Sequence, residues 1–159
     1  MCSYSSQPIE NYSDEYFDIF DSKVSTSGNV AVRQKAKGYY LGATLDSQNP
    51  MALLSSGAFT MTESHRLIFN YNRGTFGSKL WLCRNTLDLS LQSSNCFKVA
   101  GPELTLDEWN GVAEAYVDLQ PGDTQLHIIA SYAGEGSSSV AAFSLDNFRL
   151  TSQDGALLC

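Results

Sequence analysis

Over much of the chain, apolar and polar side chains alternate with a period of two. From His65 to Tyr71, Leu67, Phe69 and Tyr71 stand against Arg66, Ile68 and Asn70. From Gly111 to Leu119, Ala113, Ala115, Val117 and Leu119 oppose Glu114, Tyr116 and Asp118. From Thr124 to Tyr132, Leu126, Ile128, Ala130 and Tyr132 oppose Gln125, His127 and Ser131. Side chains alternate across a strand, so each run predicts a strand with one buried and one solvated face. Turn residues separate such runs at Asp46-Ser-Gln-Asn-Pro50, at Pro121-Gly122 and from Gly134 to Ser139. No segment sustains the i, i+3, i+4, i+7 spacing of an amphipathic helix, and Leu104 to Asn110 predicts one helical turn at most. Many short strands with frequent turns predict a two-sheet antiparallel β-sandwich of jelly-roll type, in a single domain over residues 1–159.

The tail breaks the alternation. Phe143 and Leu145 fall on one face of an extended strand, Phe148 and Leu150 on the other. Keeping both pairs buried requires a bulge at Asp146-Asn147, and a bulge re-aims a side chain. The side chain at that break is the Asp146 carboxylate, which needs a partner if the strand is a core strand.

The 159 residues suffice for a real core, and 43% hydrophobic with 17% charged residues describes a folded unit. A net charge of −7 argues against nucleic acid and against a polybasic membrane contact. No apolar run approaches the roughly 18 residues of a spanning helix. The first residues have neither a basic nor an apolar leader region, which fits a cytosolic protein or, the expectation here, a domain excised from a longer secreted or membrane-anchored chain. The four cysteines agree. Cys83 and Cys96 flank a short connection between two extended segments, and Cys2 and Cys159 lie beside the two ends. One local clasp and one terminal clasp predict an oxidised, extracellular protein. Asn11-Tyr-Ser13 is a glycosylation sequon consistent with secretion.

Motifs of catalysis are scarce: no Gly-x-Ser-x-Gly, no His-Glu-x-x-His and no phosphate loop occurs. The expectation is a protein that is not an enzyme. Carboxylates are the better lead. Asp18 and Asp21 sit in an acidic segment, and if the first and last strands pair they converge with Asp146 around a hard cation. Calcium suits such a set, since it accepts carboxylates and backbone carbonyls together. Trp81 and Trp109 are expected in the core.

At this point several elements resemble the MAM domain of extracellular adhesion proteins and membrane-bound proteases. Gly38-Tyr-Tyr-Leu41 is similar to that family's Gly-x-Tyr-Leu, and Ala52-Leu-Leu-Ser-Ser56 to its Ala-x-Leu-x-Ser-Pro. Leu67-Ile-Phe-Asn-Tyr71 stands where the family has Cys-Leu-x-Phe-x-Tyr, and Gly77-Ser-Lys-Leu80 resembles Gly-x-Leu-x-Val. Trp109 with Val117-Asp-Leu119, and Leu145-Asp-Asn-Phe-Arg-Leu150 with Cys159, complete the series over residues 38–159. Arg66 occupies the place of a customary cysteine, which leaves Cys2 as the partner of Cys159. The resemblance implies a non-catalytic extracellular adhesion module, often with a structural cation, that contacts proteins homophilically or heterophilically. The Asp-Asn-Phe-Arg-Leu ending also resembles jelly-roll carbohydrate-binding modules, which implies glycan binding as the alternative. For a protein partner the binding face expected is Glu114, Tyr116 and Asp118 beside Gln125, His127 and Ser131, provided those two strands pair.

Overall fold

The computed structural model describes residues 4–10, 17–21, 39–101, 103–109, 113–132, 134 and 139–152. The strands are β1 (Tyr4–Ser6), β2 (Asp18–Asp21), β3 (Tyr39–Asp46), β4 (Met51–Ser56), β5 (Phe59–Met61), β6 (His65–Arg73) and β7 (Lys79–Arg84). They continue with β8 (Cys96–Ala100), β9 (Glu114–Leu119), β10 (Gly122–Thr124), β11 (Leu126–Ser131) and β12 (Val140–Ser152). One short helix, α1 (Leu106–Trp109), precedes β9, the single helical turn expected there.

Two five-stranded antiparallel sheets stack face to face. The first runs β1-β4-β11-β7-β8 and the second β2-β3-β12-β6-β9, while β5 and β10 form a separate two-stranded pair. Successive strands cross repeatedly from one sheet to the other, as β3 to β4 and β6 to β7 do. This is the two-sheet sandwich of jelly-roll type that the alternation predicts. Between the sheets lie Leu54, Leu80, Leu82 and Ile128 from the first and Leu45, Leu67, Phe69, Val117 and Phe143 from the second.

The bulge in the last strand is real. Leu145 pairs with Tyr71 and Leu150 with Leu67, and the register shifts between Asp146 and Arg149. Asn147 and Phe148 there oppose the single residue Phe69. Asn147 takes the left-handed conformation at φ 57°, which asparagine tolerates better than most residues. Its reward is packing: Phe148 turns inward, 5.3 Å from the Phe69 ring and 4.7 Å from that of Tyr4.

Trp81 is placed differently from expectation. It lies on the outer face of the first sheet, in a small second cluster with Ile9, Met51, Leu53, Cys83 and Ile129. Leu89 and Leu91, from the connection between β7 and β8, also pack there. The Cys83–Cys96 disulfide joins directly paired residues of β7 and β8 and closes that connection at a sequence separation of 13. In the chain-entropy model such a loop contributes about 3 kcal/mol. Cys2, Cys159 and Asn11 lie outside the described residues, as does the side chain of Trp109.

Candidate functional site

One outer face is capped and the other is partly open. On the first sheet, Ser55, His127, Cys83 and Cys96 form one row across the strands, under the apolar cover just described. His127 is therefore buried, and its Nδ1 lies 2.8 Å from the Ser55 hydroxyl. This corrects two expectations. β9 belongs to the second sheet and β11 to the first, so Gln125, His127 and Ser131 do not extend the face of Glu114, Tyr116 and Asp118. Nor is the His127 face solvated, because Ile129 beside it seats the covering cluster. The signal was present in the chain: Ile129 is apolar in the register read as polar.

Burial holds the His127 imidazole below its ordinary pKa, although a hydrogen bond with the Asn85 backbone pulls the other way. A depressed pKa means that the unfolded chain takes up a proton before the folded one does. The stability this contributes is fully present above the unfolded value of about 6.5 and is lost as pH falls through the folded value. Acidification from pH 7.5 to 5 is thus expected to lower the melting temperature more in the natural chain than in His127→Asn. Equal slopes in the two proteins would remove His127 as the cause.

The open area lies on the second sheet, where β12, β6 and β9 align in rows. Thr151, Arg66 and Asp118 make one row, Arg149, Ile68 and Tyr116 the next, and Asp146, Asn70 and Glu114 the third. Farther along, Ser144 and Asn72 are buried. Tyr116 is 64% exposed, the most open aromatic among the described residues. It sits on an edge strand with half-buried Ile68 as its neighbour. Two ion pairs bracket this apolar centre. Arg66 donates to Asp118 through Nε at 2.7 Å and Nη2 at 3.1 Å, and its guanidinium lies over the Tyr116 ring at 4.7 Å. Arg149 donates to Glu114. The Asp118 carboxyl is held below the usual carboxylate range by its hydrogen bond and charge contact with Arg66. The third row ends in an amide pair, Asn147 Nδ2 donating to Asn70 Oδ1 at 3.1 Å. The arrangement is an aromatic ring on a flat apolar patch, edged by planar hydrogen-bonding groups. Chemically it can stack a ring and bond its substituents.

At one end this platform runs into a groove of about 550 Å3, lined by Arg66, Ile68 and Asp118 and by Ser64, His65, Gln120, Thr151 and Ser152. Of the residues expected at the binding face, Glu114, Tyr116 and Asp118 come together. Arg66, Ile68, Asn70, Arg149 and the groove were missed. Their signal lay in the polar phase of β6, whose pairing with β9 cannot be read from either strand alone.

The acidic set behaves otherwise. β3 stands between β2 and β12, so the strand of Asp18 and Asp21 does not pair with that of Asp146. Asp146 Oδ1 accepts the Asn147 N–H at 2.7 Å. The side chains of Asp18 and Asp21 lie outside the described residues. Among the described residues no group of three or more His, Cys, Asp or Glu side chains is arranged for a metal.

No family model matches the chain, and no curated protein matches it. Among solved structures it is similar to the CBM22-1 and GH10 modules of N-terminal endo-1,4-beta-D-xylanase 10B from Clostridium thermocellum, complexed with xylohexaose. The identity is 12% and the TM-score 0.52, covering 94% of this chain and 26% of that one. It is also similar to the family 30 carbohydrate-binding module of the cellulosomal cellulase Cel9D-Cel44B of Clostridium thermocellum, at 11% identity and a TM-score of 0.44, covering 94% and 87%. The chain spans about a quarter of the xylanase structure's length. At this identity the likeness speaks to fold: this chain is a β-sandwich of the jelly-roll kind.

Proposed function

We propose that this domain is a non-catalytic, extracellular carbohydrate-binding module whose ligand lies on the outer face of β12, β6 and β9. The observation that carries the reading is the exposed Tyr116 beside Ile68, bracketed by the Arg66–Asp118 and Arg149–Glu114 pairs. A largely exposed aromatic ring, with Arg66 over one side and fixed donors and acceptors around it, suits a sugar ring, which has an apolar face and a hydroxylated rim. On the first sheet the outer face around His127 is covered instead by Ile9, Leu89 and Leu91 packed on Trp81 and Ile129. Similarity of fold to a xylanase's CBM22-containing structure supports the same reading. The Cys83–Cys96 disulfide fits an oxidising compartment.

A glycan array probed with the labelled domain tests this. Retention is expected, and Tyr116→Ala should weaken it by more than about 1 kcal/mol, the usual threshold of an energetically dominant contact, with an unchanged melting temperature. Tyr and Arg are also the residues that anchor protein interfaces, which keeps the adhesion reading implied by the MAM resemblance as the second proposal. Capture of a cell-surface protein by this face, uncompeted by free sugar, would replace the glycan reading with that one.

A further inference from the structure

Resting on the glycan-binding reading, we infer that the groove beside the Arg66–Asp118 pair is a second sugar subsite, and that the chain it receives is electrically neutral. The groove's volume of about 550 Å3 falls within the roughly 300–1,000 Å3 of small-ligand sites. Its polar lining is of mixed donor and acceptor type: the hydroxyls of Ser64 and Thr151, the Gln120 amide and the His65 imidazole. Sugar hydroxyls, which both donate and accept, suit such a lining.

His65 closes the groove on its inner side, in the same phase of β6 as the core residues Leu67 and Phe69. It is only 8% exposed, yet its buried Nδ1 has no hydrogen-bond partner. The Arg66–Asp118 pair is shared, since Arg66 covers the Tyr116 ring while both residues line the groove. A ligand touching both places therefore spans at least two rings, which describes an oligosaccharide or an internal stretch of polysaccharide.

Charge chooses the class. Among the described residues, the outward cations of this platform, Arg66 and Arg149, are each committed to a carboxylate. The protein's net charge is −7. A uronate or sulfated chain would meet Asp118 and Glu114 with no unpaired cation among the described residues of β12, β6 and β9 on this face, although Arg84 donates to the Gln120 carbonyl beside the groove; like charges brought together oppose binding. A neutral chain meets no such opposition, and it can bond the outer lone pairs and N–H groups of both pairs.

Affinity electrophoresis of the whole chain in gels holding soluble xylan, mixed-linkage β-glucan or polygalacturonate reads the class. Titration with xylohexaose and xylobiose reads the subsites. Retardation is expected by a neutral polymer and not by polygalacturonate. The double variant Gln120→Ala/Thr151→Val, with its fold checked by an unchanged melting temperature, should weaken a hexasaccharide about three- to tenfold for each hydrogen bond lost. The same variant should weaken the disaccharide less than the hexasaccharide. Unchanged hexasaccharide affinity in that variant, with binding lost in Tyr116→Ala, overturns the groove and leaves the glycan reading standing. Retardation by polygalacturonate alone overturns the neutral class but not the glycan reading. Retardation by none of the polymers, with no titration signal, overturns both.

Discussion

Glu108→Ala is expected to destabilise the domain by about 3–5 kcal/mol, the range for removing one partner of a buried ion pair. In a domain of this size that lowers the melting temperature by roughly 6–20 °C. Arg73 and Glu108 have no exposed side-chain surface. Arg73 forks onto the carboxylate through Nε and Nη2, donates Nη1 to the Ser78 carbonyl and donates Nη2 to the Glu103 carbonyl at 2.8 Å. Glu108 Oε2 also accepts the Thr105 N–H at 2.8 Å, while Thr105 Oγ1 accepts the Glu108 N–H, the reciprocal cap of a helix start. Truncating Glu108 strands a guanidinium in the interior and uncaps α1 in one step. The backbone around it is equally tight. A Cβ at Gly101 would lie 2.5 Å from the Ser78 carbonyl and 2.7 Å from Arg73 Nη1, and its φ of +115° favours glycine besides. Replacing both charges, as Arg73→Met with Glu108→Leu, should recover most of the loss, because the desolvation of two ions disappears with them. Chemical denaturation of the three proteins decides it. A cost below 1 kcal/mol for Glu108→Ala would mean that water reaches Arg73.

This pair shows where reading the chain runs out. The alternation in β6, β9 and β11 was legible because one sheet face is core and the other is not, and the phase break at Asp146-Asn147 was legible because Phe148 and Leu150 must still be buried. Thr105 and Glu108 cap α1, yet nothing local joins that cap to Arg73, 35 residues earlier. Arg73 also falls in the buried phase of its strand, opposite Phe143, where pattern alone predicts an apolar residue. The same limit governed the site. Tyr116 and its charged neighbours were visible as one polar face of β9. Assigning β11 to that face was a choice of strand pairing, which sequence period does not determine, and the covered face of His127 followed from it.

The second large effect concerns the aromatic stack at the bulge. Phe69→Ala is expected to cost about 3–5 kcal/mol, since Phe69 is fully buried and its removal leaves a cavity that the sheets close only in part. Phe69 lies under the bulge, with Phe148 stacked on it at an interplanar angle of 20° and Tyr71 6.5 Å away. The two phenyl groups should be coupled. A double-mutant cycle of Phe69→Ala and Phe148→Ala is expected to return about 0.5–1.5 kcal/mol of interaction beyond area burial. Strict additivity in urea melts would show that Phe148 packs without regard to Phe69, and the bulge would then need another reason.

β9 stands at the rim of its sheet, and a rim strand presents unpaired N–H and C=O groups that invite another chain to add on. Glu114 and Asp118 project from that strand on either side of Tyr116. Charged side chains on an edge are a common defence against such addition. The charged residues of the proposed ligand face therefore also guard the protein against its own copies. Stripping them to make the surface stickier for a ligand would trade solubility for affinity, and any redesign of the platform has to supply a replacement guard along the same strand.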